Sequence, residues 1–321
     1  MQIVELFAGG GGVACGIKEV NPTAEVWAVE FDPSNQKLSE KIADNYQKNF
    51  PDHHLISKSV QQCQEQGWAG FPINPDLLWA STVCCNFSIA KSKKIETTND
   101  FDMAISTMGA VFHLQPKHFV LENVPGYKNS KTFKLVICKN LKAMGYKFEW
   151  SICRVSSIQK RYRIILRASK TEKLLEEVSL EPAVNWWDVI KDIPTEKSDK
   201  EPMDVELPTW KFRIGRRCKP VTSDCSFPTI IKSYFMDGKG ANRNKFADIF
   251  LPDGTVKLAN MEMVKRLSEF PLEYQLSGTT AVDGAILGNA VPPVFVSELW
   301  RRFLNQDRKS TRLNSSHTVI S

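Results

Sequence analysis

The sequence predicts an α/β fold, a doubly wound and mostly parallel sheet that carries a second, smaller and irregular unit. In the first half of the chain, short apolar runs alternate with stretches of helical spacing, as expected for βαβ units in a parallel sheet. A glycine run at residues 9–12 joins the first predicted strand to the first predicted helix, a junction typical of such sheets. Seven prolines between residues 182 and 252 break this alternation and indicate the second unit.

Each predicted element of the first half follows from its pattern of apolar residues. Residues 2–7 and 25–30 are short apolar runs and predict strands, and the residues that follow each of them have helical spacing. Three later apolar runs predict the rest of the sheet. The predicted helices are 13–19, 33–49 and 101–114, and the further predicted strands are 76–81, 118–122 and 164–166.

The last part of the chain returns to helical spacing. Residues 258–270 have a helical pattern, and residues 288–293 predict a turn that leads into a final helix at 295–304. Residues 307–321 have little periodicity and are rich in Ser, Thr, Asn and Arg. We therefore expect them to be a disordered or appended tail outside the fold.

The composition is that of an ordinary globular protein, with 42% hydrophobic and 24% charged residues. No apolar run reaches the length of about 18 residues that a membrane span needs, and the first residues lack the basic start of a signal peptide. We therefore expect a cytoplasmic protein without a membrane partner. The eight cysteines form no C-x-x-C pair and no zinc spacing, so we expect free thiols and no metal site.

Positive charge is concentrated in one region of the chain. The net charge is only +6, but residues 211–245 hold nine basic and two acidic residues. Such a patch is either a solvated surface or a face that contacts nucleic-acid phosphates, and the sequence pattern is compatible with both.

The glycine run and an acid after the second strand indicate a nucleoside-containing cofactor. Glycines at the carboxyl end of the first strand let a ligand approach the backbone closely. Glu30 ends the second strand, where a carboxylate accepts hydrogen bonds from ribose hydroxyls. A tight turn beside a surface glutamate would give the same pattern, and the pattern does not separate NAD from S-adenosylmethionine.

Three further reactive groups stand next to predicted strands. Cys84 lies in the loop after strand 76–81, Glu122 ends strand 118–122, and Arg163 immediately precedes strand 164–166. Loops at the carboxyl ends of strands in a doubly wound sheet converge on one crevice. We therefore expect a cysteine, an acid and an arginine to meet beside the cofactor.

Taken together, these segments resemble the ordered motifs of the DNA (cytosine-5) methyltransferase family. The resemblance covers almost the whole chain, and the order and spacing of the set make it specific. It implies a Rossmann-like fold of the class I methyltransferase type. The motifs are LFAGGGG at 6–12, VEFD at 29–32, VCCNFS at 83–88, ENV at 122–124, QKRYR at 159–163, RLSEFP at 266–271 and GNAVPP at 288–293.

The resemblance implies a reaction and a role for each motif. Cys84 would be the thiolate that adds to C6 of cytosine, and Glu122 would hold the N3/N4 edge of the ring. Arg161 and Arg163 would hold the base and its phosphate or carbonyl. The methyl donor would be S-adenosyl-L-methionine, which leaves as S-adenosyl-L-homocysteine. The implied cofactor contacts are Phe7, Ala8, Gly9, Gly11, Glu30, Phe31, Ser59, Asn289 and Val291.

The resemblance also implies double-stranded DNA as the partner, with the target cytosine flipped out of the duplex to reach the site. We expect a monomer that acts on a short recognition sequence. The residues expected on DNA are Lys91, Lys93, Gln159, Arg213, Arg216, Arg217, Lys239 and Arg243.

The family organisation divides the chain into parts. Residues 1–175 would be the catalytic and cofactor-binding domain, and residues 176–262 the target-recognition domain. Residues 263–306 would return to the catalytic domain, with residues 307–321 as the tail.

Three positions depart from the family pattern and leave alternatives open. Val83 and Cys85 stand where most members have Pro and Gln, and Ser59 stands where an acid often contacts the adenine. One alternative is a tRNA cytosine-5 methyltransferase, and another is a relative that uses an analogue of S-adenosylmethionine. An NAD-dependent oxidoreductase and an inactive DNA-binding module are alternatives of different classes.

Overall fold

The structure is a computed structural model of the chain, with side chains described as far as residue 305. The described residues are 1–83, 86–87, 95–171, 173–182, 185–213, 219–235 and 246–317.

The main sheet has seven strands among these residues, in the order β3-β2-β1-β4-β5-β7-β6. The first five strands in this order run parallel, and β7 and β6 are antiparallel to their neighbours. The predicted doubly wound, mostly parallel sheet is therefore confirmed. The strands are β1 (Gln2–Leu6), β2 (Glu25–Val29), β3 (His54–Ile56), β4 (Leu77–Ser81), β5 (His118–Asn123), β6 (Lys147–Arg154) and β7 (Tyr162–Ser169).

Helices cover both faces of this sheet. On one face, α4 packs on Val4, Leu78 and Leu121, and on the other, α1 and α9 pack on Ile3 and Trp79. The helices are α1 (Gly12–Val20), α2 (Gln36–Asn49), α3 (Val60–Glu65), α4 (Thr98–Leu114), α5 (Lys139–Ala143), α6 (Trp186–Ile190), α7 (Met261–Leu267), α8 (Thr280–Asn289) and α9 (Pro293–His317), with 3₁₀ turns at Pro33–Asn35, Pro125–Asn129 and Lys232–Tyr234 and a π-helical segment at Thr132–Cys138.

A second, antiparallel sheet lies in the proline-rich part of the chain, with four short strands among the described residues. Its core contains Trp186, Trp210 and Phe227, and it is continuous with apolar residues of α7 and α8. Trp186 is fully buried. The strands are β8 (Thr209–Phe212), β9 (Val221–Thr222), β10 (Ala247–Phe250) and β11 (Val256–Leu258), in the order β11-β10-β8-β9.

The last helix is longer than the predicted one. The backbone of α9 is helical from Pro293 as far as His317, whereas the sequence predicted a helix at 295–304. That residues 307–321 are a tail outside the fold stays a prediction. The physical reason is that no Gly or Pro follows Pro293, so no residue in this segment breaks the helix. No described helix is long and apolar enough to cross a membrane.

The sheet brings the predicted reactive segments to one edge. The parallel strands β1, β2, β4 and β5 all end there, and the antiparallel β7 begins there, with Asn123 paired to Ile164. The strand predicted at 164–166 actually starts at Tyr162, so Arg163 is its second residue. Arg163 therefore has its direction fixed by a strand rather than by a loop.

Candidate active site

The turn after β1 holds a half-buried carboxylate, that of Glu30. The backbone N–H of Gly9 donates to Oε2 of Glu30 at 2.8 Å, and the Ser39 hydroxyl donates to Oε1 at 3.3 Å. Burial raises the pKa of Glu30, although the Gly9 hydrogen bond opposes that rise. Gly9 has φ +55°, and a Cβ built on it would meet no atom within 4 Å. The space over Gly9 and beside Glu30 is therefore open, as a nucleoside would require.

The other glycines of the turn are used in packing. A Cβ at Gly11, whose φ is +84°, would lie 2.4 Å from the Phe50 ring, and one at Gly12 would lie 2.4 Å from the carbonyl oxygen of Val291. We expected both Gly9 and Gly11 to approach the cofactor. The structure gives open space to Gly9 only, because Phe50 and Tyr46 fill the space at Gly11.

The remaining expected cofactor residues lie around this turn with different exposures. Phe7 has φ +60°, an uncommon value for a residue with a side chain, and the N–H of Ala8 donates to the carbonyl of Val29 at 3.0 Å. Phe31 is half-buried after Glu30. The GNAVPP segment brings an exposed Asn289 and a buried Val291 back towards α1.

Ser59 has a local structural role. Its hydroxyl accepts from the N–H of Gln62 at 3.1 Å, and the Gln62 side chain accepts from the N–H of Ser59 at 2.8 Å. This reciprocal pair is a capping box at the start of α3. The Ser59 hydroxyl is therefore engaged with the helix rather than directed at a ligand.

Glu122 and Arg163 form a salt bridge at the sheet edge. Nε of Arg163 lies 2.8 Å from Oε1 of Glu122, and the two side chains are only 12% and 8% exposed. Nη1 of Arg163 also donates to the carbonyl of Tyr162 at 2.8 Å. A charge-assisted contact of this kind fixes the position of the carboxylate and places a permanent positive charge beside it.

The loop that carries the predicted nucleophile is held at both of its described ends. On one side, Nδ2 of Asn123 donates to Oγ1 of Thr82 at 2.8 Å and to its carbonyl at 3.1 Å. On the other side, Asn86 donates to Asp100 at 2.7 Å, and the Phe87 ring packs edge-on against Tyr127. These contacts tie the described residues on the two sides of Cys84 to β5, to α4 and to the 3₁₀ turn after β5. Cys84, Cys85, Lys91 and Lys93 lie outside the described residues.

Arg161 corrects an expectation, because the structure turns it away from the open crevice. Its side chain is 1% exposed, and its guanidinium donates to the carbonyls of Ile230, Gly288 and Ala290. We expected Arg161 to hold the target base. It instead joins three segments of the chain, since its donors are directed at backbone carbonyls in the interior.

Gln159 is corrected for the same reason. Its amide donates to the carbonyl of Leu267 at 2.9 Å and accepts from the N–H of Ile230 at 2.8 Å. At 1% exposure it does not present itself to a polymer, although it was expected on DNA. Of the polar residues in QKRYR, Arg163 is the one in contact with Glu122.

Arg213 was also expected on DNA, but it is paired within the protein. Its guanidinium donates to the buried carboxylate of Asp248, and also to Asp199 at 2.7 Å. These carboxylates raise the pKa of Arg213 and offset its charge. The other basic residues expected on DNA, Arg216, Arg217, Lys239 and Arg243, lie outside the part of the chain that the structure describes.

Sequence reasoning missed two residues at this edge of the sheet, Thr82 and Asn123. Thr82 and Asn123 join β4 and β5 at the base of the cysteine loop, and neither was given a role beforehand. The only available signal was that both immediately follow or end predicted strands that lie next to each other. The hydrogen bond itself depends on strand register, which the sequence did not supply.

The chain matches a family model and is similar to several known proteins. The model of the family described as C-5 cytosine-specific DNA methylase matches residues 1–305. The Type II methyltransferase M.HindV of Haemophilus influenzae is 24% identical over 97% of this chain and 99% of its own length. The tRNA (cytosine(38)-C(5))-methyltransferase of Rattus norvegicus is 26% identical over 49% of this chain and 39% of its own length.

The structural comparison concerns the fold alone. The Dnmt2 methyltransferase of S. pombe superposes with a TM-score of 0.65 at 17% identity and covers 96% of this chain and 99% of that one. Against some other curated relatives, the chain spans only about half of their length.

Proposed function

Because this chain belongs to the C-5 cytosine-specific DNA methylase family, we propose that it is a DNA (cytosine-5-)-methyltransferase that uses S-adenosyl-L-methionine. The observation that carries the proposal is the buried Glu122–Arg163 pair, whose neighbour Asn123 holds the loop that bears Cys84. The proposal goes beyond family membership in naming the polymer, the donor and the residues.

Cys84 would activate the target ring. C5 of cytosine is a weak nucleophile, and addition of the Cys84 thiolate to C6 opens the C5=C6 double bond and makes C5 electron-rich. A cysteine is only a few per cent ionised at neutral pH, so the site must favour its thiolate. The Arg163 guanidinium is the described positive charge at this sheet edge that would do so.

Glu122 would hold and polarise the base. Its carboxyl group is fixed by Arg163 and would accept a hydrogen bond from the N4 amino group of the cytosine while sharing a proton with N3, which offsets the negative charge that develops on the ring. C5 would then take the methyl group of the bound donor as the donor's sulfur–methyl bond breaks, which leaves S-adenosyl-L-homocysteine. Loss of the C5 proton to a base or water would re-form the C5=C6 double bond and release the Cys84 thiolate. Atoms balance with one methyl group gained by C5 and one proton released.

The cofactor residues of the chain fit this donor. Glu30 would accept the ribose hydroxyls, the open side of Gly9 would receive the ligand against the backbone, and Phe31 would lie against the adenine. Asn289 and Val291 would complete the site from the GNAVPP turn. When bound, S-adenosylmethionine supplies the electrophilic methyl group.

The polymer is assigned as double-stranded DNA, with the target cytosine flipped out of the stack. The near full-length match to M.HindV supports DNA. The rat tRNA (cytosine(38)-C(5))-methyltransferase supports tRNA as the second candidate, but its match covers only 49% of this chain. The proposed domain division assigns polymer recognition to residues 176–262.

The test is a product analysis with paired cysteine variants. Wild type, Cys84→Ser and Cys85→Ser are each incubated with S-adenosylmethionine and either unmodified genomic DNA or unmodified tRNA, followed by digestion to nucleosides and mass spectrometry. We expect 5-methyl-deoxycytidine with wild type and Cys85→Ser, and none with Cys84→Ser.

Each other outcome changes a defined part of the proposal. A product only on tRNA replaces the polymer, and a cytosine mass change other than one methyl group replaces the donor. Loss of product in Cys85→Ser alone moves the nucleophile. No modified cytosine on either polymer contradicts the proposed activity.

A further inference from the structure

Arg161 connects two parts of the chain that the proposed function assigns to different ligands. Nη1 donates to the carbonyl of Ile230 at 2.9 Å, and Nη2 donates to the carbonyls of Gly288 at 3.1 Å and Ala290 at 2.8 Å. Ile230 belongs to the proposed target-recognition domain. Residues 288–290 begin the turn proposed to contact the cofactor.

Residues 231–235 of the proposed target-recognition domain pack directly on α8, which leads into the turn proposed to contact the cofactor. A Cβ at Gly288 would lie 2.3 Å from the backbone nitrogen of Lys232, and one at Gly284 would lie 2.3 Å from Cβ of Phe235. The backbone of α8 therefore touches residues 231–235 with no space for a side chain between them. A displacement of either segment must move the other.

The cofactor side continues to the glycine turn. A Cβ built on Gly12 would lie 2.4 Å from the carbonyl oxygen of Val291, and Gly12 is three residues after Gly9. The chain of contacts thus runs from residue 230 through Arg161 to residues 288–291 and on to the turn that holds Glu30. Arg161 also lies two residues before Arg163, the partner of Glu122.

We propose that Arg161 is a positioning residue that makes nucleic-acid binding and cofactor binding mutually dependent. This inference rests on the proposed function, because it takes its two ligands from there. When one ligand orders its own segment, the guanidinium holds the other segment in its binding geometry, so the second ligand has less order to impose. The effect requires the fixed planar fork of an arginine, which a lysine ammonium does not reproduce.

Arg154 provides a matched control. It is also a buried arginine of the same junction, with Nε donating to the carbonyl of Ser156 at 2.8 Å and Nη2 donating to the Ser226 hydroxyl at 3.2 Å. Among the described contacts, Arg154 reaches the proposed target-recognition domain at Ser226 but does not reach residues 288–290. Arg154→Lys therefore perturbs the contact between β6 and the proposed target-recognition domain, but it leaves the connection between that domain and residues 288–290 in place.

The experiment measures the dissociation constant of S-adenosyl-L-homocysteine by equilibrium dialysis, with and without saturating polymer, for wild type, Arg161→Lys and Arg154→Lys. The polymer is whichever of DNA and tRNA the wild type methylates. We expect the polymer to tighten binding at least about fivefold in wild type and in Arg154→Lys, and less than about twofold in Arg161→Lys. Thermal unfolding of each variant verifies that it is folded.

Hydrogen exchange on the wild type gives a second measurement that needs no variant. S-adenosyl-L-homocysteine alone should slow amide exchange at residues 230–235, across the junction from its own site. Unchanged exchange there contradicts the inference, as does coupling that persists in Arg161→Lys or disappears equally in both variants. A wild type that methylates its polymer but shows no coupling overturns the inference alone, whereas one that binds no cofactor overturns the proposed function as well.

Discussion

Glu5, Glu30 and Glu122 lie at or near the edge of the main sheet where β1, β2 and β5 end, and their partners differ. Glu5 and Glu122 are buried, and Glu30 is half-buried. Glu122 has a guanidinium at 2.8 Å, and Glu30 has a backbone N–H and a hydroxyl. Among the described contacts, Glu5, the fourth of the five residues of β1, has the Tyr46 hydroxyl at 3.5 Å. Glu122, the carboxyl group that the proposed reaction uses, is thus the one with a permanent positive charge beside it. Glu5 has no described cation as a partner.

The poor solvation of Glu5 predicts an unusual pH dependence of stability. Burial raises its pKa to about 8 from an ordinary value of 4.5, with a smaller contribution from Glu30. Between these values the folded protein keeps a proton that the unfolded chain has lost. The free energy of unfolding should therefore fall as pH rises, by up to about 1.4 kcal/mol per pH unit.

Glu5→Gln removes this dependence, because the amide carries no titrating proton. We expect the variant to gain stability relative to wild type between pH 5 and pH 7.5, measured by urea unfolding at both values. Glu65→Gln, at an exposed carboxyl of α3, is the control and should leave the wild-type profile unchanged. Identical pH profiles for Glu5→Gln and wild type would show that Glu5 ionises normally.

At the scale of elements, the turn between β1 and α1 has two separate tasks. Gly11 and Gly12 allow Phe50 and Val291 to approach, whereas Gly9 leaves open space beside Glu30. Close packing therefore requires Gly11 and Gly12, whereas the open space at Gly9 belongs to the proposed ligand site. The same run of letters in the sequence gives no indication of this division.

Gly9→Ala tests the division against an equally strained glycine elsewhere. Gly9 and Gly145 both have positive φ and no atom within 4 Å of a built Cβ, but Gly145 lies at the opposite sheet edge, before β6. Each alanine should cost about 1–2 kcal/mol of stability because of its left-handed backbone. Only Gly9→Ala should also weaken S-adenosyl-L-homocysteine binding, by about tenfold, since only its methyl group enters the proposed site. Equal binding by the two variants, measured by dialysis, would remove Gly9 from the site.

At the scale of the whole molecule, residues 288–303 complete both the core under the main sheet and the connection that Arg161 makes. Residues 288–291 contact Arg161 and the glycine turn, and Trp300 and Phe303 of α9 are buried under the main sheet, with their rings stacked 4.9 Å apart. The main sheet, the small antiparallel sheet and helices α8 and α9 are thereby connected through residues far apart in the chain.

Truncations should separate the core of α9 from its extension. The family match ends at residue 305, and the last buried side chain described is Phe303. A 1–305 fragment should unfold within about 3 °C of the full chain and keep its activity. A 1–298 fragment loses Trp300 and Phe303 and should not unfold cooperatively, since deletion of each large core side chain costs about 3–5 kcal/mol. Loss of activity in 1–305 would assign a functional role to the extension of α9.

Much of the fold could be predicted from the sequence because its signals are local. The parallel strands β1, β2, β4 and β5 are short apolar runs, and the helices between them have the helical period. The strands of the small sheet were not predicted, since they have two to four residues and lie among prolines. Their pairing depends on contacts between distant segments, which a local pattern does not contain.

By itself, the sequence determined the doubly wound sheet and the meeting of Glu122 and Arg163 at one edge, because parallel strands end on the same side. Only the tertiary structure decided what the polar residues of QKRYR do. Gln159, Arg161 and Arg163 alternate along one short segment, and no local pattern distinguishes them. The partners of Arg161 lie 69, 127 and 129 positions along the chain, so its role as an interior connection follows from packing alone. Arg163, two residues on, has its side chain beside Glu122 because the antiparallel β7 begins at the edge where β5 ends.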